Sequence, residues 1–181
     1  MKDPKEIIDK YYPADAAVRG ILIDHSLMVA AEALGIADRK QLPLEPEEII
    51  MAAMLHDIGI VFTDAEGIAC YGSEPYIRHG VLGANILRRE GVDEKYARVA
   101  ERHTGAGLTH EEIAERSLPL PTDRSYMPET LLEKLICYAD CFWSKPRPKE
   151  RKTLERVRAG MARHGSAILS RFEDLHRLFG S

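Results

Sequence analysis

The run Ile49-Ile50-Met51-Ala52-Ala53-Met54-Leu55 ends in two adjacent polar residues, His56 and Asp57, followed by Ile58-Gly59. This junction constrains the fold more than any other stretch. A run so apolar belongs in a core, and an imidazole and a carboxylate buried beside it without partners would each cost several kcal/mol. Gly59 reads as a helix terminator, which places the pair on a last turn where side chains from neighbouring elements can converge. Imidazole plus carboxylate suits a borderline divalent cation such as Fe, Mn, Zn or Ni. By itself the dipeptide fits a surface or capping pair equally well, so the other polar residues of the chain decide.

Composition sets the class. A chain of 181 residues, 45% hydrophobic and 30% charged, can bury a sizeable core in one domain. That domain is expected over residues 1–181, with a metal-binding core at about 20–145 and a helical extension at 146–181. The formal net charge of -4 argues against a binder of nucleic-acid polymers, which needs a positive field. Small anions stay open, because a bound cation supplies local charge. No apolar stretch approaches membrane-spanning length, and Met1-Lys2-Asp3-Pro4-Lys5-Glu6 lacks the basic-then-apolar form of a signal peptide. Cys70, Cys137 and Cys141 form neither a disulfide framework nor a metal knuckle, and the last two read as apolar fillers of one helix face. A cytoplasmic protein without membrane contact is expected. It would be a monomer or homodimer, the latter permitted by Leu175, Leu178 and Phe179, which read as exposed.

The periodicity is helical from end to end. Asp3-Pro4-Lys5-Glu6 caps a short helix toward Tyr12. A second helix is expected from Ala14 to Leu34, stopped by Gly35, with His25 inside the stripe Leu22, Ser26, Val29, Ala33, Ile36. Pro46 opens the helix that ends in His56-Asp57. Val61 to Gly72 reads as a loop. Further helices are expected at Tyr76–Glu90, Glu94–Thr104, a short one behind the Thr109 capping box, and Glu129–Trp143. The segment Lys149–Phe179 reads as helical with a break at Gly160 or Gly165, its basic run facing solvent. No stretch alternates with period two over a useful length. The fold class is all-α, a compact single-domain bundle.

His25, His56, Asp57, His79, His103 and Asp140 fall on inward faces or ends of five different helices. Each alone fits an ordinary buried histidine or a capping aspartate. Six separate burials would each need a private partner, whereas a shared cation, or a pair of them, satisfies all six, and bundle cores hold such sites. Neutral imidazoles with two aspartates balance one divalent ion, and a second leaves a surplus of about two positive charges that attracts phosphate. Asp57, with two carboxylate oxygens, is the natural bridge. It would orient a water that two ions acidify for in-line attack on phosphorus. The expected cofactor is therefore a pair of divalent transition metals drawn from Fe, Mn, Zn, Ni and Co.

His25, the run His56-Asp57-Ile58-Gly59, and Asp140 within Tyr138-Ala139-Asp140 resemble the HD-domain superfamily of metal-dependent phosphohydrolases, over roughly residues 20–145. His79 and His103 are similar to the added ligands of its two-metal subgroup. The stretch from Glu101-Arg102-His103-Thr104-Gly105 through Pro128-Glu129-Thr130 to Asp140 resembles its small HDIG-type proteins, and more distantly its dinucleoside-tetraphosphate hydrolases. The resemblance implies hydrolysis of a phosphate ester or anhydride of a nucleotide or similar small phosphorylated molecule. Ile60 stands where the cyclic-dinucleotide phosphodiesterases of the superfamily carry lysine, and their Gly-Tyr-Pro element is absent. Phosphate contacts must then come from elsewhere: Arg78 and Arg102, each preceding a proposed ligand, and Lys145 beyond Asp140. Asp64 and Glu74 are conceivable proton donors to a leaving group. Two other readings keep the ligands but change the chemistry, a di-iron oxygenase on the same fold and a non-catalytic metal-binding module.

Overall fold

The capping chemistry at the start of the chain acts as its residues dictate. Asp3 Oδ1 accepts the Lys5 N–H at 2.8 Å and opens α1, Pro4–Tyr11. The computed structural model describes residues 3–180. Met1, Lys2 and Ser181 lie outside them, and with them the ends of the expected 1–181 domain and of the stretch compared with a signal peptide. The helices that follow are α2 (Ala17–Lys40), α3 (Pro46–Leu55), α4 (His79–Arg89), α5 (Glu94–Arg102), α6 (His110–Glu115), α7 (Leu131–Asp140), α8 (Leu154–His164) and α9 (Ser166–Phe179).

Helix α2 runs straight through Gly35, where a stop was expected. Ile36 and Ala37 beyond it are buried, and their burial outweighs the roughly 1 kcal/mol a mid-helix glycine costs. The helix ends instead at Gln41, in the left-handed region at φ 50°, ψ 48°. There the Gln41 and Leu42 N–H groups close onto the Asp38 and Ala37 carbonyls. At 24 residues, with a mean hydropathy of 1.5 over its best window, α2 is long and apolar enough to cross a membrane by length and composition, which corrects the expectation that no stretch is. Its stripe of Leu22, His25, Ser26, Val29, Ala33 and Ile36 is buried, and the helix packs on α3 and α7.

The expected loop at 61–72 is structured. A 3-10 helix over Ile58–Phe62 leads into β1 (Thr63–Ala65), which pairs antiparallel with β2 (Cys70–Tyr71) and parallel with β3 (Glu74–Pro75), in the order β2-β1-β3. Strands of two or three residues are too short to show a period of two.

At the other end, Gly165 breaks the helix at φ 126°, while Gly160 lies inside α8. Helix α8 starts later than expected, at Leu154, because Thr153 caps it. Residues Lys145 to Lys152 therefore form an irregular strap instead of a solvated helix. Lys152 is half-buried and donates to the Cys141 and Trp143 carbonyls, sealing the end of α7. Leu175 and Phe179, read as exposed, are buried, and Phe172 and Phe179 pack on Tyr138 of α7. Leu178 alone of the three faces solvent. The extension thus shares the main core.

Candidate metal centre

Helix ends converge at the centre of the bundle. His25 projects from the middle of α2, His56 is the C-cap of α3, His79 begins α4, His103 is the C-cap of α5, and Asp140 is the last residue of α7. Asp57 leaves the helical region at φ -105°, ψ 9°, which turns its carboxylate inward. Gly59 is not the terminator expected. It lies within the 3-10 helix, where a Cβ would run into the His79 carbonyl and the Gly83 backbone. At Gly80 a Cβ would sit 2.7 Å from the Ala100 carbonyl. These glycines let α4 approach both the 3-10 helix and α5 backbone to backbone, and that approach carries His79 to the cluster. Tyr12 fixes the same turn from outside, donating to the Ile58 carbonyl at 2.7 Å and accepting the Val61 N–H. From sequence, Tyr12 is only the end of a helix, because its hydroxyl's partners lie 46 and 49 residues away.

All six predicted ligand residues come together. Asp57 Oδ2 lies 3.1 Å from His25 Nε2 and 3.0 Å from His56 Nε2. Its Oδ1 lies 3.2 Å from His103 Nε2 and 3.5 Å from His79 Nε2. Asp140 Oδ1 is 2.9 Å from His25 Nε2. The groups form two sets that share Asp57: His25, His56, Asp57 and Asp140, and Asp57, His79 and His103, with ligand atoms within 4.8 Å of one another in each. All but Asp140 are fully buried or nearly so.

The orientation of the imidazoles fits a cation. The Nδ1 atoms of His56, His79 and His103 each lie 2.6 to 2.8 Å from a carbonyl three residues back, of Ala53, Tyr76 and Ala100. A carbonyl can only accept, so each Nδ1 carries a proton, and in the neutral ring the Nε2 lone pair faces the cluster. His79 Nε2 and His103 Nε2 then face each other at 3.0 Å, two acceptors that need a positive charge beside them. The Asp57 oxygens and the Nε2 atoms of His25 and His56 are buried without a well-aligned hydrogen bond despite their short distances. Atoms that converge this closely yet do not hydrogen-bond are placed for a shared ion.

Electrostatics agree. Burial and the neighbouring His103 hold His79 down to about 3, so it is neutral. Burial disfavours the charged form of His56, but Asp57 and Asp140 outweigh it and push the group up to about 10. Asp57 and Asp140 stay ionised well below the usual carboxylate range in spite of burial, held by His56 and Lys145 in one case and by His25 and His56 in the other. The two aspartates thus take their counter-charge from protonated His56 and from Lys145. A divalent cation would replace that charge, since ligation takes the neutral imidazole.

Lys145 is at the site. Its Nζ lies 2.6 Å from Asp57 Oδ2, and its side chain is only 10% exposed. Against burial, Asp57 raises its pKa, so it remains an ammonium. Tyr76, from sequence only a helix start, stacks on His79 with ring centres 4.7 Å apart and lies 5.8 Å from the Lys145 ammonium. The other two basic residues are engaged elsewhere: Arg78 with Glu74, and Arg102 with Glu129 at 2.9 Å and the Met127 carbonyl at 3.2 Å. Asp64 is exposed on β1, and Glu74 is occupied by Arg78.

This chain belongs to the HD domain family, whose match covers residues 22–142. Among its relatives is an uncharacterized protein of Methanocaldococcus jannaschii, 41% identical over 122 residues, which are 66% of this chain and 64% of that protein. Two others are named tRNA (cytidine(56)-2'-O)-methyltransferase. That of Picrophilus torridus is 32% identical across 89% of this chain and 42% of its own length; that of Thermoplasma volcanium is 36% identical across 77% and 36%. The matched stretch therefore spans just under two thirds of the first relative and less than half of the other two. Among solved structures, the HD domain of the L. monocytogenes phosphodiesterase PgpH superposes with a TM-score of 0.55 at 16% identity, covering 97% of this chain and 95% of that one. Its complex with cyclic-di-AMP gives 0.56 at 15%, covering 97% and 94%. At that identity the likeness establishes the fold.

Proposed function

We propose that this protein is a metal-dependent phosphohydrolase acting on a phosphate ester or anhydride of a nucleotide or similar small phosphorylated molecule. The observation that carries the reading is Asp57, whose two oxygens face two separate histidine sets while a buried ammonium stands beside one of them. His25, His56, Asp57 and Asp140 would hold one divalent cation, and Asp57, His79 and His103 a second, from among Fe, Mn, Zn, Ni and Co. Bound there, such ions would supply positive charge to the phosphate and acidify a water. Asp57 would orient that water, being the carboxylate common to both sets. Lys145 would take a phosphate oxygen when a cation replaces it as the partner of Asp57. Arg78 and Arg102 could contribute only by leaving Glu74 and Glu129. The PgpH domain bound to cyclic-di-AMP supports a nucleotide as the substrate. An ammonium at the cluster favours an anionic substrate over the diol of an oxygenase, and over a closed module without substrate; an oxygenase acting on a phosphonate is separated by oxygen uptake and redox-dependent colour.

The test is a hydrolysis screen of phosphate esters and nucleotides with each of the five metals, beside Asp57→Asn and His56→Ala. The variants should lose at least about 100-fold in kcat/KM, since even groups that only support a metal ligand cost about 10–100-fold. Turnover that survives both substitutions would remove the assignment.

A further inference from the structure

A cavity of 360 Å³ lies beside the cluster, between the β1–β2 connection and the strap that follows α7. Its walls are Ala65, Gly67, Ile68, Tyr76 and Pro146, with Ser144 and Lys145 as the polar side chains. Lys145 belongs both to this cavity and to the cluster, through its contact with Asp57. A ligand whose phosphate reaches the ammonium therefore has its remaining atoms beside an apolar slot, where a bare sugar would find few partners. The tyrosine ring is already held flat against His79, which makes it a preorganised stacking surface. Pro146 adds a second rigid ring and Ser144 a hydroxyl for a polar edge. A flat ring surface in a largely apolar lining with polar groups beside it suits a heteroaromatic base.

Resting on the phosphohydrolase reading, we infer that this slot receives the base of a nucleotide whose phosphate lies at the metal centre, with Tyr76 as stacking platform and Gly67 as the residue that keeps the slot open. Gly67 lines the slot and nothing stands within 4 Å of a Cβ built on it, so a larger side chain can be placed at the slot's edge without displacing the backbone. Base–aromatic stacking predicts about tenfold or greater preference for a base-bearing ligand.

Three non-cleavable phosphonates separate the possibilities by calorimetry on the zinc-supplemented full chain: an adenosine 5′-phosphonate, the ribose phosphonate without the base, and n-hexylphosphonate. The adenosine compound should bind at least about tenfold more tightly than either of the others. Gly67→Leu should reduce that preference to less than about twofold, and Gly67→Ala should give an intermediate value. Equal affinity for the ribose and adenosine compounds, absence of adenosine binding, or a preference that survives Gly67→Leu would overturn the inference. A hexyl compound that binds as tightly as adenosine would also overturn it, marking an alkyl site. Esters cleaved without any base preference would sink the slot alone. Base-selective binding without cleavage of any ester would sink the hydrolase reading alone.

Discussion

At the scale of single residues, the centre depends on buried charges held against one another. Lys145 stands 2.6 Å from Asp57, and His56 3.0 Å from the same carboxylate, in a site that is almost wholly buried. Lys145→Met removes the ammonium proposed to hold phosphate but none of the metal ligands. A hydrogen bond between charged groups contributes about 1.5–3 kcal/mol, so KM for a phosphate substrate should rise at least about tenfold. Zinc affinity should stay the same or increase, because the cation no longer competes with Lys145 for Asp57. Steady-state kinetics and a zinc titration read the two effects separately. A KM within about twofold of wild type would remove Lys145 from the phosphate site.

At the scale of elements, the site is an assembly of helix ends held in register by close backbone contacts. Gly59→Ala forces the 3-10 helix away from α4 at the His79 carbonyl and Gly83. Backbone is not a flexible neighbour, so the variant should lose about 1–3 kcal/mol or more, seen as a fall in Tm of roughly 2–4 °C per kcal/mol. It should also lose cation affinity, because His79 moves with α4. Unchanged Tm and unchanged affinity would refute this account of Gly59. The role of Gly59 was not legible from sequence, because a helix-stopping glycine and a close-approach glycine look alike until the packing partner is known. The caps at Asp3 and Thr109 were legible, since they act on N–H groups two or three residues away; the Thr130 cap was not, and α7 starts at Leu131 and not at the expected Glu129. The convergence of six polar residues on inward helix faces was legible. The small sheet was not, because its strands are two or three residues long and Thr63 pairs in parallel with Glu74 across a 3-10 turn and β2. The places of Lys152, read as part of a solvent-facing basic run, and of Tyr76, read only as a helix start, were not legible either: a carbonyl cap across a strap and a ring stacked on a histidine are products of tertiary placement.

At the scale of the whole molecule, one main core runs from α1 to α9, and the cluster sits inside it. Ions that bind only the folded chain stabilise it by RT ln(1 + [L]/Kd), about 2.7 kcal/mol at a hundredfold excess over Kd. For a chain of this length that is a rise in Tm of roughly 5–10 °C. A chelator should reverse the rise, and Asp57→Asn should abolish it. A melting curve indifferent to metal and chelator would place any bound ion outside the core. The most direct measurement of the central claim is the number of transition-metal ions retained per chain, by elemental analysis after gel filtration in zinc or manganese. Two per chain are predicted for wild type, one for the double variant His79→Ala/His103→Ala, and none for Asp57→Ala. No retained metal in the wild type, or the same content in all three, would contradict it.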